Sequence, residues 1–582
     1  MRKRATYRAV TRQSPDSGGS SPQDADRGSR DARRAQSFVS GLRARWTRWT
    51  FPALVFAVLA LLTEIPYIAG RCASPPERRF GGILLWVDDL NMYFSFIRQA
   101  ADGHWLFINR LTHLPHTPAF FNPEYLAVGL LIRWLSLTDT AAFALWRVVG
   151  IAALVGGFAA LLSVVEPRPL ARKMALVLFA FGGGFGWILR LLEALGPGTP
   201  LRRIWGAYLD FDLQTGIQPF AQALLNPHFS LPHGLLLIVM ALYFMAERNG
   251  RTLHYVAAGI IAALSGSVRP YDLITLWTAL PLFILIAPGP IRSWRTLQRL
   301  LPLLVTAPML VYFAWLFSMH AIFRYWARQG AIEPIPLLGQ LLGIGLPGLA
   351  VIWRLLRPRA YPLSRAEDRF CLAWLVTVLI LLHGRRWLPF LPFSPQLMIP
   401  TMGAVYVLAL PVLRFERLKA MPIVARCAIL TSLVLVNSLS SGFMFYERAR
   451  IACTHHHYYH VRVADVAAFE WLNRVAHEDN VVLAAEQDGN RLGRFVSARV
   501  VLGHYSVTPH SDLRRAEIER LLSGAMSANE AHAYLKTMGV RWLYLHPRRH
   551  PNFRPGCIPG CRLRYRARGV AIYTFDPSPQ PS

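Results

Sequence analysis

The stretch that decides the fold is Phe51-Pro52-Ala53-Leu54-Val55-Phe56-Ala57-Val58-Leu59-Ala60-Leu61-Leu62-Thr63-Glu64-Ile65-Pro66-Tyr67-Ile68-Ala69. Arg43, Arg45, Trp46, Arg48 and Trp49 flank it on the N-terminal side. A helix needs about 17–25 mostly apolar residues to cross a bilayer core, and this run is long enough. A secretory signal has a short basic start and a small-residue cleavage site. Residues 1–49 are too long a lead for that, so the run reads as an uncleaved first transmembrane helix. The lead itself is rich in Arg, Ser, Asp and Gly and lacks an apolar run. It is expected to be a disordered basic cytoplasmic tail.

Further apolar runs follow at 141–165, 172–192, 229–247, 253–268, 271–288, 300–318, 335–353, 370–383, 397–413 and 422–442. Basic clusters at Arg168 to Lys173, Arg248 to Arg251, Arg292 to Arg299, Arg354 to Arg369 and Arg414 to Lys419 fall on alternate loops. Cytoplasmic loops carry excess Lys and Arg, so the N-terminus is expected inside, about eleven spans follow, and the C-terminus emerges outside. A weaker run from Pro123 to Leu137 contains Glu124 and Arg133. It breaks the charge alternation if counted as a span, and is read as an interfacial or re-entrant helix.

Composition agrees with a membrane chain. Of 582 residues, 53% are hydrophobic and 16% charged, against about 25% charged in soluble proteins. Mean hydropathy is +0.30, which excludes a disordered or collagen-like chain. The formal net charge of +30 does not indicate nucleic-acid binding, because the Arg residues lie mostly between apolar runs. Six Cys are too few for a disulfide scaffold. No internal repeat or coiled-coil heptad is seen.

The expected organisation is a tail at 1–49, a multispan domain at 50–442 with a first outer loop at 71–140, and an extracytoplasmic α/β domain at 443–582. Val466, Phe469, Trp471 and Leu472 mark an amphipathic helix in the last part. Short β-like runs follow at Val481–Ala485, Phe495–Leu502 and Val540–Leu545, with a helical stretch at about 511–537.

The first outer loop carries the chemistry. It reads Trp86-Val87-Asp88-Asp89-Leu90-Asn91-Met92-Tyr93, then Arg98, Gly103-His104-Trp105, Pro115-His116-Thr117-Pro118 and Phe121-Asn122-Pro123-Glu124-Tyr125. Adjacent carboxylates raise at least one pKa, and such a group serves as a general base or helps to hold a divalent cation. The alternative is that Asp88 or Asp89 caps the following helix.

The order of these residues resembles the first periplasmic loop of the GT-C glycosyltransferases, among them the aminoarabinose transferases, protein O-mannosyltransferases and lipopolysaccharide-core galacturonosyltransferases. That pattern is an acidic pair, a Tyr, a basic residue, Gly-x-Trp, and a Pro-rich stretch before the next helix. Asp88-Asp89, Tyr93, Arg98, Gly103-His104-Trp105 and Phe121-Asn122-Pro123-Glu124 follow it. The aminoarabinose and mannosyl enzymes usually have Asp-Glu where this chain has Asp-Asp. The resemblance implies that Asp88 or Asp89 is the catalytic carboxylate; the second-loop acid of those enzymes is followed by Lys-Pro-Pro, whereas Glu124 here follows a Pro. It also implies an inverting sugar transfer from a polyprenyl-phosphate donor, on the outer face of a bacterial inner membrane, to a glycan, lipid or protein acceptor. Membrane lipids are the other expected partners, and nucleic acid is not one.

Other polar groups fall where helices meet the outer surface: His228 in Asn226-Pro227-His228, Arg269 beside Asp272, and Arg385-Arg386 after His383. Ionisable residues there face cavities or partners, and Arg suits phosphate oxygens. Arg269, Arg385 and Arg386 are therefore phosphate-binding candidates. The alternatives are an Arg269–Asp272 pair and interfacial anchoring by Arg385 and Arg386. His504, in Gly503-His504-Tyr505, either touches an acceptor or is a buried, hydrogen-bonded His. Gly182 to Gly186 resembles a phosphate loop but reads as close helix packing. His456 and His460 have the spacing of ligands on one helix face, although an interfacial segment with Tyr458 and Tyr459 is favoured. Cys557 and Cys561 are candidates to pair. The rival to an enzyme is a lipid-linked glycan transporter or assembly scaffold. A transporter is expected to show repeats and matched broken helices, and the sequence shows neither.

Overall fold

The computed structural model describes residues 49–195, 211–287, 290, 293–329, 335–384, 394–413 and 415–578. Each of the eleven apolar runs falls on a helix or a helix pair. Among the described residues, five helices are long and apolar enough to cross a membrane: Trp49–Cys72, Asp139–Val165, Pro227–Asn249, Trp294–Ser318 and Ile423–Ala452.

The remaining runs depart from straight spans. Two are bent pairs, Pro169–Phe181 with Gly186–Ala194 at 45°, and Leu337–Ile344 with Leu346–Leu356 at 108°. Counting each pair as one span raises the total to seven. Thr252–Val268, Pro270–Ile286 and Pro395–Ala409 are apolar but shorter. Ala366–His383 carries Glu367, Asp368 and Arg369 in its first turn. Pro123–Leu135 is a helix of 13 residues, too short to cross a bilayer of about 30 Å at 1.5 Å per residue.

The broken helices, which the sequence did not reveal, dock on each other at their breaks. The Phe185 N–H donates to the Leu342 carbonyl at 2.8 Å. Gly345 has φ +73, and a Cβ there would lie 2.7 Å from the Gly183 carbonyl oxygen. The Gly182–Gly186 run therefore serves close packing. The Gly184 N–H donates to the Asp212 carboxylate at 2.9 Å.

The basic clusters do more than mark topology. Glu247 takes Arg299 at 2.8 Å and the Tyr255 hydroxyl at 2.7 Å. Asp368 takes Arg354 at 2.9 Å and Arg365 at 2.8 Å. These buried carboxylates hold the basic ends of neighbouring helices together, since an unpaired buried charge is costly.

Asp139–Val165 and Pro227–Asn249 form the closest helix pair. A Cβ on Gly157 would meet the Gly234 carbonyl oxygen at 2.3 Å, and one on Gly234 would meet the Ala153 backbone at 2.3 Å. Backbones approach this closely only where small residues line the seam. Between Trp49–Cys72 and Asp139–Val165, Glu64 pairs with Arg147, whose guanidinium lies 3.7 Å from the Tyr67 ring centre.

The Ile423–Ala452 helix runs past residue 443 into the C-terminal region. Beyond it lies a five-stranded sheet of order β4-β3-β5-β7-β6. Its strands are β3 (Val481–Leu483), β4 (Arg499–Val500), β5 (Val540–Leu545), β6 (Cys561–Ala567) and β7 (Val570–Phe575). β3 is parallel to β4 and β5, while β7 is antiparallel to β5 and β6. Val463–Val475 is the expected amphipathic helix and buries Ala468, Phe469 and Leu472. The run at Phe495–Leu502 is mostly not a strand: Phe495 ends the helix Glu486–Phe495, and the strand itself is Arg499–Val500.

The first outer loop is built into this domain. β1 (Arg78–Phe80) pairs antiparallel with β2 (His460–Arg462), and Thr112 bridges to Leu502. One core takes Phe94 and Phe96 from the loop together with Phe469, Leu492, Val500 and Tyr544 from the domain.

Gly157→Leu is expected to destabilise the helix pair by about 1–3 kcal/mol, the usual cost of overpacking. A lower midpoint in detergent thermal unfolding checks this, with Gly156→Leu, whose Cβ would meet open space, as the unaffected control.

Candidate active site

The acidic pair opens the helix Val87–Asp102. Neither Asp caps it. The N-cap is Trp86, held at φ 52 with no side-chain cap bond. A bulky residue in the left-handed region is uncommon and strained. Its ring is fixed edge-on to Phe229, with centroids 5.4 Å apart. Both carboxylates lie in the first turn, where the helix dipole favours negative charge.

The two carboxylates have different partners. Asp88 Oδ2 accepts from the Tyr458 hydroxyl at 2.9 Å, and the Asp88 carbonyl accepts from Asn490 Nδ2 at 3.1 Å. Burial pushes the Asp88 carboxyl above its ordinary range, with the Tyr458 hydrogen bond acting in the opposite direction. Asp89 Oδ1 lies 3.1 Å from His504 Nε2. His504 Nδ1 accepts from the Ser506 backbone N–H at 3.1 Å. A backbone N–H only donates, so Nδ1 is unprotonated and Nε2–H donates to Asp89. His504 is buried, while the Asp89 side chain remains 35% exposed.

One turn on from Asp89, Tyr93 lines a second wall. Its ring centre lies 5.2 Å from Tyr125 and 5.1 Å from His228. His228 Nδ1 is 2.7 Å from Glu124 Oε2, and Trp146 Nε1 donates to Glu124 Oε1 at 3.2 Å. Glu124 is held in place because Asn122 caps its helix, Oδ1 accepting from the Glu124 N–H at 3.0 Å. Burial, and then the Asp89 charge, push the Tyr93 phenol well up, with Glu124, Tyr271 and Arg269 also in electrostatic range.

Arg269 is the buried cation of this cluster. It pairs with Asp272 at 3.4 Å and donates to the Gln396 carbonyl. Its Nε and Nη1 are buried without a hydrogen-bond partner among the described residues. Buried donors are normally satisfied. Arg269 thus makes the expected pair with Asp272 and still has donors to spare.

No protein-family model matches the sequence, and no curated protein matches it. Solved structures do match in fold. The apo oligosaccharyltransferase of Archaeoglobus fulgidus superposes with a TM-score of 0.53 at 11% identity, covering 86% of this chain and 70% of that one. ArnT from Cupriavidus metallidurans bound to undecaprenyl phosphate superposes with a TM-score of 0.50 at 11% identity, covering 89% of this chain and 98% of that one. The archaeal oligosaccharyltransferase tethered to an acceptor peptide containing the NVT sequon gives 0.50 at 12% identity, with 91% and 75% covered. The chain shares the fold of these structures.

Within that fold, Asp88, Asp89, Tyr93, Glu124, His228, Arg269 and His504 converge on one region. Arg98 and His116 do not join them. Arg98 donates to the Phe495 carbonyl at 2.8 Å and tethers the far end of its helix. His116 has both ring nitrogens engaged in its own loop, accepting from the Asn109 N–H at 2.9 Å and donating to the Leu114 carbonyl at 2.9 Å. Arg385 and Arg386 lie outside the described residues.

Among the described residues, no group of three or more His, Cys, Asp or Glu side chains is placed to hold a metal ion. Asp88 and Asp89 are turned to different partners. His456 and His460 share no helix face, because the segment turns into β2. Cys557 and Cys561 are not bonded to each other.

Sequence reasoning missed Tyr458 and Asn490 as partners of Asp88. The Tyr458–Tyr459 pair was read as an interfacial element, and nothing local ties it to a residue 370 positions away. Tyr458→Phe removes a hydrogen bond that favours the ionised form, so the Asp88 carboxyl should titrate at higher pH. Carboxylate infrared spectroscopy of the full chain, referenced to Asp88→Asn, checks this; an unchanged or lower midpoint contradicts the geometry.

Proposed function

We propose that the chain is a multi-pass membrane glycosyltransferase that moves a sugar from a polyprenyl-phosphate donor to an acceptor on the outer face of a bacterial inner membrane. The observation that carries this reading is the convergence at Tyr93 of the partly exposed Asp89 carboxylate and a buried Arg269 whose Nε and Nη1 have no partner among the described residues. Two neighbours in fold support it by their ligands, undecaprenyl phosphate in one and an acceptor peptide in the other. The proposed topology keeps about eleven crossings, N-terminus in and C-terminus out, with the bent pairs as broken spans.

Asp89 is the general base in this reading. It takes the proton from an acceptor hydroxyl, and that oxygen attacks the anomeric carbon. The bond from that carbon to the phosphate oxygen breaks, and the lipid phosphate leaves with the bonding electrons. One displacement gives inversion. Arg269 Nε and Nη1 meet the leaving phosphate, where fixed charge is most useful to the transition state. His504 holds the Asp89 carboxylate in orientation. Asp88, engaged by Tyr458, supports the geometry of the turn. Glu124 and His228 form the wall behind Tyr93.

One observation favours the transporter alternative: the two broken spans that meet at Gly183 and Gly345. Sugar transfer separates the two. Purified protein in lipid is given radiolabelled polyprenyl-phosphate sugars, with membrane extract as the acceptor source. Asp89→Asn should lower kcat by about 10²- to 10⁴-fold, the usual contribution of a general base, while inserting and folding normally. Asp88→Asn should retain more activity than Asp89→Asn. Undiminished transfer by both variants would sink the mechanism, and no transfer alongside retained cellular function would favour the transporter.

A further inference from the structure

The parallel part of the sheet ends in an open cleft of about 510 Å³. Its walls come from the segments that follow the carboxyl ends of three strands: Ala485 and Glu486 after β3, Leu502 after β4, and His550 to Asn552 after β5. Open α/β sheets bind ligands at this edge, and the volume is that of a small-molecule site. None of the proposed transfer chemistry uses it.

The cleft is the reverse side of the elements that hold the acidic pair. Glu486 begins the helix on which Asn490 holds the Asp88 carbonyl. Leu502 lies two residues before His504, which holds Asp89. A molecule seated there is therefore anchored one helical turn, or two residues, from the two contacts that position the acidic pair.

The lining defines the chemistry of the occupant. Arg515 and Arg549 balance Glu486 and Glu519, so the cleft has no net charge. Arg515 is fully engaged, by Glu486 at 2.7 and 2.9 Å and by Asp512 at 2.8 Å. Arg549 has one long ion pair, to Asp488 at 3.8 Å. The side chains of Glu519 and Asn552 form no hydrogen bond or ion pair with the described residues. The open groups are thus a carboxylate, an amide and a guanidinium over an apolar floor of Leu502, Ile518 and Leu522. A carboxylate and an amide side by side accept and donate to neighbouring hydroxyls, while a phosphate or uronate would meet Glu519.

We propose that this cleft binds a neutral, hydroxyl-rich glycan segment of the acceptor and so anchors the acceptor beside Asp89. The acceptor role rests on the glycosyl-transfer reading; the glycan site does not. The test is saturation-transfer NMR titration of the full chain in lipid nanodiscs with maltotriose, cellotriose and mannotriose. Trigalacturonic acid and inorganic phosphate serve as charged comparisons. At least one neutral trisaccharide should bind more tightly than either charged probe. Glu519→Ala and Asn552→Ala, both at the surface, should each weaken that binding about tenfold. Asp89→Asn should leave it intact, so loss of transfer and loss of glycan binding are read separately. The proposal is overturned if no neutral probe binds, if a charged probe binds more tightly, or if both variants bind as the wild type does.

Discussion

The structure depends on the attachment of the helix Val87–Asp102 to the outer domain. Tyr458 and Asn490 hold Asp88, His504 holds Asp89, Asn91 donates to Asn490 at 2.8 Å, and the Phe495 carbonyl takes Arg98. Each is a hydrogen bond worth about 1 kcal/mol alone. Their combined effect is geometric, because they fix both ends of one helix and both carboxylates at its start. The β1–β2 pairing and the shared aromatic core keep the two parts in register. The acidic pair thus stands on a rigid element although it belongs to a loop between spans.

The two carboxylates are chemically identical in sequence and different in place. Burial and Tyr458 define the environment of Asp88. His504 orients Asp89 through the Nε2 contact, with Nδ1 taken by the Ser506 N–H. Beside Tyr93, Glu124 and His228 hydrogen-bond to each other in a buried wall, and Arg269 retains donors that no described residue takes.

Much of this was legible in the sequence, for physical reasons. Apolar runs mark helices because the bilayer leaves little choice. Asp88-Asp89 announces itself as a costly juxtaposition, and Arg269 as a charge at a helix junction. His504 was legible only as a His after a β-like run; that it reaches Asp89 across 415 positions was not. Tyr458 and Asn490 carried no local signal, since their role is defined by a contact across the chain. The helix break at Gly182 to Gly186 was hidden because these residues read as packing glycines whether or not the helix bends, and Gly345 lay unmarked inside the apolar run 335–353. β6 escaped because Cys561–Ala567 alternates with Arg on an exposed edge, where a strand needs no apolar face.

The measurement that tests the central claim most directly is a cryo-electron microscopy structure of the full chain in a lipid nanodisc with undecaprenyl phosphate. The account predicts the phosphate within hydrogen-bond distance of Arg269 Nε or Nη1, on the Tyr93 side of Asp89, with the His504–Asp89 contact preserved. A phosphate bound elsewhere, with Arg269 turned wholly onto protein groups, would contradict it.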